Sequence, residues 1–119
     1  MTNVRWTGEW VPPVDIFENA DREFVLKVEL PDMNRDDIDI TVEAGTLTIK
    51  GEKKFAGEGT PDSFSRIERR YGAFRRSFSL PSTVDTGKVV AEYRNGVLSV
   101  RLPQREESRP RQIKVDIAA

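Results

Sequence analysis

The stretch "AEYRNGVLSV", residues 91–100, decides the fold class, because it predicts a tight β-hairpin of fixed register. Asn95-Gly96 favours a type I′ turn, which needs positive φ at both central residues. A two-residue loop at this point pairs Tyr93 with Leu98, Ala91 with Val100, and Val89 with Leu102. These six side chains share one face, and a slip by one residue would move the whole apolar set into water. One face of this hairpin is therefore expected to be covered.

Alternation of apolar and polar residues with period two recurs along most of the chain, and helical periodicity is nearly absent. A second hairpin is predicted around Ala44-Gly45, with the pairs Val42–Leu47, Ile40–Ile49 and Asp39–Lys50. Further alternating segments begin at Val14 and Phe24, and another, "FRRSFSLP", spans residues 74–81. Seven or eight short strands with regularly spaced turn signals predict an all-β sandwich.

Composition limits the function classes that fit this chain. Its 119 residues suit a single domain, and the net charge of −1 argues against a general binder of nucleic acids or anionic membranes. The chain has neither cysteine nor histidine, so the best nucleophile and the commonest general base are missing and an enzyme is not expected. No apolar run is long enough to span a membrane. We expect a cytoplasmic protein without a cofactor.

Two further patterns in the sequence match a known kind of site only in part. Asp32, Asn34, Asp36 and Glu43 occupy four ligand positions of a calcium-binding loop, but Asp37 stands where that loop needs glycine, so no metal is expected. The segment "RIERRYGAFRRSF", residues 66–78, mixes arginines with aromatic residues as some RNA-binding strands do. Such a module needs two helices and a second aromatic strand, and neither is visible.

Both ends of the chain lie outside the predicted sandwich. Residues 1–13 form a short N-terminal arm with Trp6 and Trp10. A polar linker at 104–112 is followed by three alternating apolar residues, Ile113, Val115 and Ile117. This pattern suits β-augmentation, in which an extended peptide adds to a sheet edge and apolar pockets take every second side chain. Alternatively, the tail folds back as the last strand of its own sandwich.

These segments together resemble the small heat-shock proteins, the α-crystallin-domain family. The resemblance is carried by "AEYRNGVL" (91–98), "WVPPVDIFE" (10–18), "FVLKVELPDMNRDDIDITVEAGTLTIKGEKK" (24–54), "RIERRYGAFRRSFSLP" (66–81) and the tail "IKVDI" (113–117). The blocks follow the family's order over roughly residues 10–117. The resemblance implies an immunoglobulin-like β-sandwich over 14–103 and an extended tail over 104–119. It also implies an ATP-independent holdase, a chaperone that traps partly unfolded client proteins before they aggregate.

The resemblance further implies how subunits assemble. Residues 55–71 would form a loop that exchanges a strand, Arg66-Ile67-Glu68, between the two subunits of a homodimer. Arg76 lies on the apolar parity of its strand and matches the arginine that the family uses at the dimer interface. It is therefore expected to form an ion pair between subunits, the alternative being an arginine that extends to solvent at a sheet edge.

The resemblance also assigns the tail and the N-terminal arm. The anchor Ile113, Val115 and Ile117 of one dimer would dock in an apolar groove of a neighbour, built from Ile40, Val42, Val89 and Ala91. Docked tails would join dimers into higher oligomers. Trp6 and Trp10 are candidate client contacts, because exposed aromatic side chains suit promiscuous apolar contacts. For Trp10 the alternative is packing over the first strand. The competing function is a co-chaperone-like sandwich that binds one dedicated protein partner.

Overall fold

A computed structural model describes residues 10–55, 63–106 and 112–118. Its strands are β1 (Val14–Glu18), β2 (Phe24–Glu29), β3 (Ile38–Glu43), β4 (Thr46–Lys53), β5 (Gly72–Ser79), β6 (Val90–Arg94) and β7 (Val97–Leu102). They form an antiparallel four-stranded sheet of order β1-β2-β7-β6 and an antiparallel three-stranded sheet of order β3-β4-β5. The prediction of an all-β sandwich is therefore confirmed, with seven strands in the described part of the chain.

The core lies between the two sheets, where the alternating apolar side chains of both meet. The four-stranded sheet contributes Leu26, Val28, Leu98, Val100 and Leu102, and the three-stranded sheet contributes Leu47, Ile49 and Phe74. All of these are at most 3 % exposed. Each fully buried aliphatic side chain stabilises the folded chain by roughly 1.5–3 kcal/mol. Packing between the sheets is thus the main force that fixes the positions of the strand edges.

Both predicted hairpins have the expected turns and registers. Ala44 and Gly45 have φ of 50° and 74°, and Asn95 and Gly96 have φ of 54° and 77°. Positive φ at both central positions identifies type I′ turns. The ladders contain the predicted pairs Val42–Leu47, Ile40–Ile49, Asp39–Lys50, Ala91–Val100 and Tyr93–Leu98.

The predicted pairing of Val89 with Leu102 is wrong. The last pair of that ladder is Val90–Arg101, so Val89 precedes the strand. A 3₁₀ turn, Thr86–Lys88, occupies the preceding residues, and the side chain of Asp85 accepts a hydrogen bond from the Gly87 N–H at 3.1 Å. This capped turn ends at Val89, which packs half-buried against the core without joining the ladder.

Candidate functional site

One side of the sandwich is closed by the chain itself. The Trp10 N–H donates to the Ala73 carbonyl at 3.1 Å, and the Trp10 indole Nε1 donates to the Gly72 carbonyl at 3.0 Å. Arg76 reaches the same segment and donates to the Pro12 carbonyl at 2.9 Å. Residues 10–12 therefore cover the free edge of β5 and lead directly into β1.

This closure corrects the view of Trp10 as an exposed client contact. Its side chain is only 8 % exposed, and its ring meets the Phe74 ring edge-on at 5.4 Å between centroids. Two strand carbonyls accept its two N–H groups, so Trp10 is a packing residue of this subunit, seated on β5 and not on the first strand. Trp6 lies outside the described residues.

The opposite side of the sandwich is open along β3 and β6. Because β5 and β1 share the closed side, the remaining edges of the two sheets lie on the other side. Ile40, Val42 and Val89 are half-buried against the core there. Ala91 is exposed although it pairs with the fully buried Val100 and points to the same face. The four predicted groove residues thus lie at β3 and at the start of β6, where described residues of the subunit leave them partly or fully exposed, and their role as a groove for the tail stays a prediction.

The wall of this groove is held by the β6–β7 hairpin. The Tyr93 hydroxyl donates to the Leu30 carbonyl and accepts from the Met33 N–H at 3.2 Å. The Leu30 N–H in turn donates to the Gly96 carbonyl at 2.8 Å. The connection that follows β2 is therefore bonded to both the strand and the turn of the hairpin. This bonding fixes β6, and with it Ala91, relative to the core.

The C-terminal tail does not occupy the groove of its own subunit. Residues 112–118 belong to neither sheet, and Ile113, Val115 and Ile117 are 80 %, 84 % and 95 % exposed. This structure therefore differs from the alternative in which the tail folds back as a last strand. An exposed alternating segment presents backbone donors and apolar side chains that a sheet edge can bind.

Arg76 points inward from β5, as its parity predicted, and it is half-buried. Its guanidinium lies 5.2 Å above the Phe78 ring and donates to Pro12, and no described carboxylate lies within 4.0 Å of it. Its contacts within the subunit are thus a carbonyl and an aromatic face. An ion pair with a second subunit stays a prediction.

The predicted exchange segment, Arg66-Ile67-Glu68, belongs to neither sheet of its own subunit. Arg66 and Glu68 form an exposed ion pair at 3.3 Å, and Ile67 is half-buried. Arg69, which follows directly, forms an ion pair with Asp32 at 2.9 Å and lowers the pKa of that carboxyl. The segment is therefore tethered at one end and free of strand pairing.

A cluster of aromatic and cationic side chains lies where residues 55–71 leave β4 and enter β5. Lys53 is 5 % exposed, and its Nζ lies 5.6 Å from the Trp10 ring centre and 5.7 Å from the Tyr71 ring centre. Burial and the nearby charge of Arg69 lower the pKa of Lys53, and Asp32 opposes them. Sequence reasoning missed this residue. Its parity on β4, the same as that of Leu47 and Ile49, was the available signal.

Comparisons with known proteins agree with this geometry. A family described as Hsp20/alpha crystallin matches residues 16–118. The small heat shock protein C4 of Rickettsia felis is 41 % identical over 104 residues, which cover 87 % of this chain and 63 % of that protein. The chain belongs to the Hsp20/alpha crystallin family. Heat shock protein 16 of Schizosaccharomyces pombe is 36 % identical over 103 residues, covering 85 % of this chain and 71 % of that protein.

Solved structures of small heat-shock proteins share the fold. One from Xylella fastidiosa, described as having a distinct high order structure, is 44 % identical and superposes with a TM-score of 0.77 over 91 % of this chain and 98 % of that one. The hspA protein of Xanthomonas axonopodis is 45 % identical with a TM-score of 0.72, over 81 % and 95 % of the two chains. These likenesses identify the sandwich as an α-crystallin domain.

The family match covers most of the chain but not all of it. It runs from Ile16, within β1, through the tail residues Ile113, Val115 and Ile117, whereas Trp10 precedes it. The chain spans 63 % of the length of the Rickettsia felis relative. Membership in this Hsp20 family supports a chaperone role and an association with the stress response. Among the described residues, no helix is long and apolar enough to cross a membrane.

Proposed function

We propose that this Hsp20-family chain is an ATP-independent holdase, not an enzyme, that acts in the cytoplasm as a dimer-based oligomer. It would bind partly unfolded proteins and limit their aggregation. The observation that carries this proposal is that one chain has both an apolar edge left open along β3 and β6 and an exposed tail of alternating apolar residues.

The tail and the groove are matched in chemistry. Ile113, Val115 and Ile117 occupy every second position, so an extended tail presents all three to one surface. Burying them yields roughly 5–9 kcal/mol before costs, at about 1.5–3 kcal/mol each. Association and ordering of the tail offset several kcal/mol of this gain. A single tail would thus bind its groove weakly, and several tails in one oligomer would bind through multivalency.

Strand exchange would build the dimer. Arg66, Ile67 and Glu68 have no strand partner in their own subunit, while β1 is the outer strand of the four-stranded sheet. Ile16 and Phe17 on β1 are 55 % and 45 % exposed, which suits an edge that a partner covers. Arg76 would then exchange its weak contacts for a carboxylate of the second subunit.

The test compares the intact chain with one cut after Gln112 by multi-angle light scattering. The intact chain is expected to form assemblies larger than a dimer, and the cut chain is expected to be a dimer. A triple variant with serine at 113, 115 and 117 should behave like the cut chain. A control with serine at 114 and 116, the alternate positions, should assemble normally. Equal masses for the intact and cut chains would show that the tail is not an anchor.

Holdase activity is measured separately, as light scattering of two unrelated heat-labile enzymes warmed with the chain in the absence of ATP. Suppression of aggregation for both clients is the expected result. No suppression, together with a monomeric intact chain, would favour the alternative function, a sandwich module that binds one dedicated protein partner.

A further inference from the structure

Lys53, whose side chain is buried, lines two cavities. The larger, about 360 Å³, is also lined by Lys54 and Tyr71, and the smaller, about 230 Å³, by Trp10, Arg69 and Arg70. The larger one falls within the size range of small-molecule sites. Lys53 is thus common to both cavities, each of which also has an aromatic residue in its lining.

The Lys53 ammonium lacks an anionic partner in the described part of the chain. It is 5 % exposed, and no described carboxylate lies within 4.0 Å of its Nζ. Its neighbours are the Trp10 and Tyr71 rings, whose faces attract a cation without neutralising it. A buried charge without a partner is costly, so an anion placed beside it would be bound favourably.

Among the described residues, cations and carboxylates at the cavities are equal in number, and Lys53 is the one of them that is buried. Asp32 pairs with Arg69 at 2.9 Å, and Asp37 pairs with Lys54 at 3.6 Å. Arg70 has no ion pair among the described residues. Glu52 lines the larger cavity and Glu29 the smaller. Both glutamates are exposed, so water and salt screen their repulsion of an anion.

We propose that these cavities form a binding site for a small phosphate compound, with one phosphate group at Lys53 and a second at Arg70. Phosphate oxygens accept several hydrogen bonds at once, both from an ammonium with three donors and from a planar guanidinium. Charge-assisted hydrogen bonds of this kind are stronger than neutral ones. The proposal does not depend on the holdase function, because binding is measured without a client protein.

Isothermal titration calorimetry of the intact chain with sodium tripolyphosphate, at constant ionic strength near 0.15 M, tests this site. Binding of about one tripolyphosphate per subunit is expected, and orthophosphate should bind more weakly because it carries one phosphate group where tripolyphosphate carries three. Lys53→Met should weaken binding roughly tenfold or more, which corresponds to the loss of about 1.4 kcal/mol. Lys50→Met, on the solvent face of the same strand, is the matched control and should leave affinity unchanged.

A second variant keeps the test valid if Lys53→Met fails to fold. Arg70→Gln alters an exposed side chain and is expected to fold and to weaken tripolyphosphate binding by several-fold. Circular dichroism establishes folding for each variant. Absence of binding to the wild-type chain, equal losses in Lys50→Met and Lys53→Met, or unchanged affinity in both Lys53→Met and Arg70→Gln would each overturn the proposal.

Discussion

Comparing the stability of Gly96→Ala with that of Gly45→Ala distinguishes the cost of backbone strain from the cost of crowding at the two hairpin turns. Both glycines have positive φ, 77° and 74°, at the second position of a type I′ turn. Both carbonyls accept an N–H from elsewhere in the fold, from Leu30 and from Leu80, at 2.8 Å each. They differ in surroundings: a Cβ at Gly96 would lie 3.2 Å from the Pro31 Cα, whereas a Cβ at Gly45 meets nothing within 4 Å.

The expected losses follow from these surroundings. Either substitution places an L-residue in left-handed backbone conformation, at a cost of about 1–2 kcal/mol. At position 96 the new methyl group must also displace Pro31, and overpacking adds about 1–3 kcal/mol. Gly96→Ala should therefore be the less stable variant by about 1–3 kcal/mol, which lowers its melting temperature by at least about 4 °C relative to Gly45→Ala.

Thermal unfolding of both variants by circular dichroism, at equal subunit concentration, measures this difference. The light-scattering mass of each variant at room temperature is the functional control, because each turn joins a strand that carries predicted groove residues, β6 at Gly96 and β3 at Gly45. Equal melting temperatures would refute the claim that contact with Pro31 constrains the turn at Gly96.

Three further outcomes are expected. Ala44→Asn should raise stability by about 0.5–1 kcal/mol in a urea titration, because Ala44 has φ of 50° and asparagine tolerates that conformation better. Gly51→Ala should cost about 3 kcal/mol in the same titration, since its Cβ would overlap the Asp37 carbonyl oxygen and the Phe74 ring. The ion pair with Arg69 lowers the pKa of Asp32 in the folded chain. The pair therefore stabilises the fold at pH values above the Asp pKa of the unfolded chain, about 3.9, and this stabilisation is lost as the pH falls through the lowered pKa of the folded chain. Asp32→Asn should remove this part of the acid dependence in melts between about pH 5 and pH 2.

Each of these outcomes has a clear contrary result. A neutral or destabilising Ala44→Asn would show that the turn does not strain the alanine. Wild-type stability of Gly51→Ala would mean that the contact with Asp37 is not close. An unchanged acid transition in Asp32→Asn, with Asp36→Asn as the matched control in the same connection, would show that the ion pair with Arg69 adds nothing to stability.

Local pattern was sufficient for the strands and hairpins. Dipeptides such as Asn95-Gly96 specify a turn type, and a two-residue loop then determines every pair in the ladder. The failure at Val89 has a local cause as well, because the Asp85 cap favoured a 3₁₀ turn over one more pair of the ladder. Alternation of side chains predicts neither where a strand starts nor what a capping side chain will bind.

The closed side of the sandwich and the buried lysine were beyond such reasoning. Trp10 bonds to residues 62 and 63 positions away in the chain, and the Asp32–Arg69 pair spans 37 positions. No local signal in the sequence reports these contacts. The strands at the open edge and the exposed tail were predicted because both are alternating segments, whereas the environment of Lys53 depends on three separate segments meeting at one point.

Residues 10–12 close one side of the sandwich, so the open side along β3 and β6 is left for the proposed docking, and each chain then offers one groove and one tail. Tails and grooves are therefore equal in number, and they are different surfaces of the chain. A linear array of subunits would always end with an empty groove and an unplaced tail. Only a closed arrangement satisfies every subunit, either a reciprocal pair related by a two-fold axis or a larger ring or shell, and the angle between tail and groove would set its size.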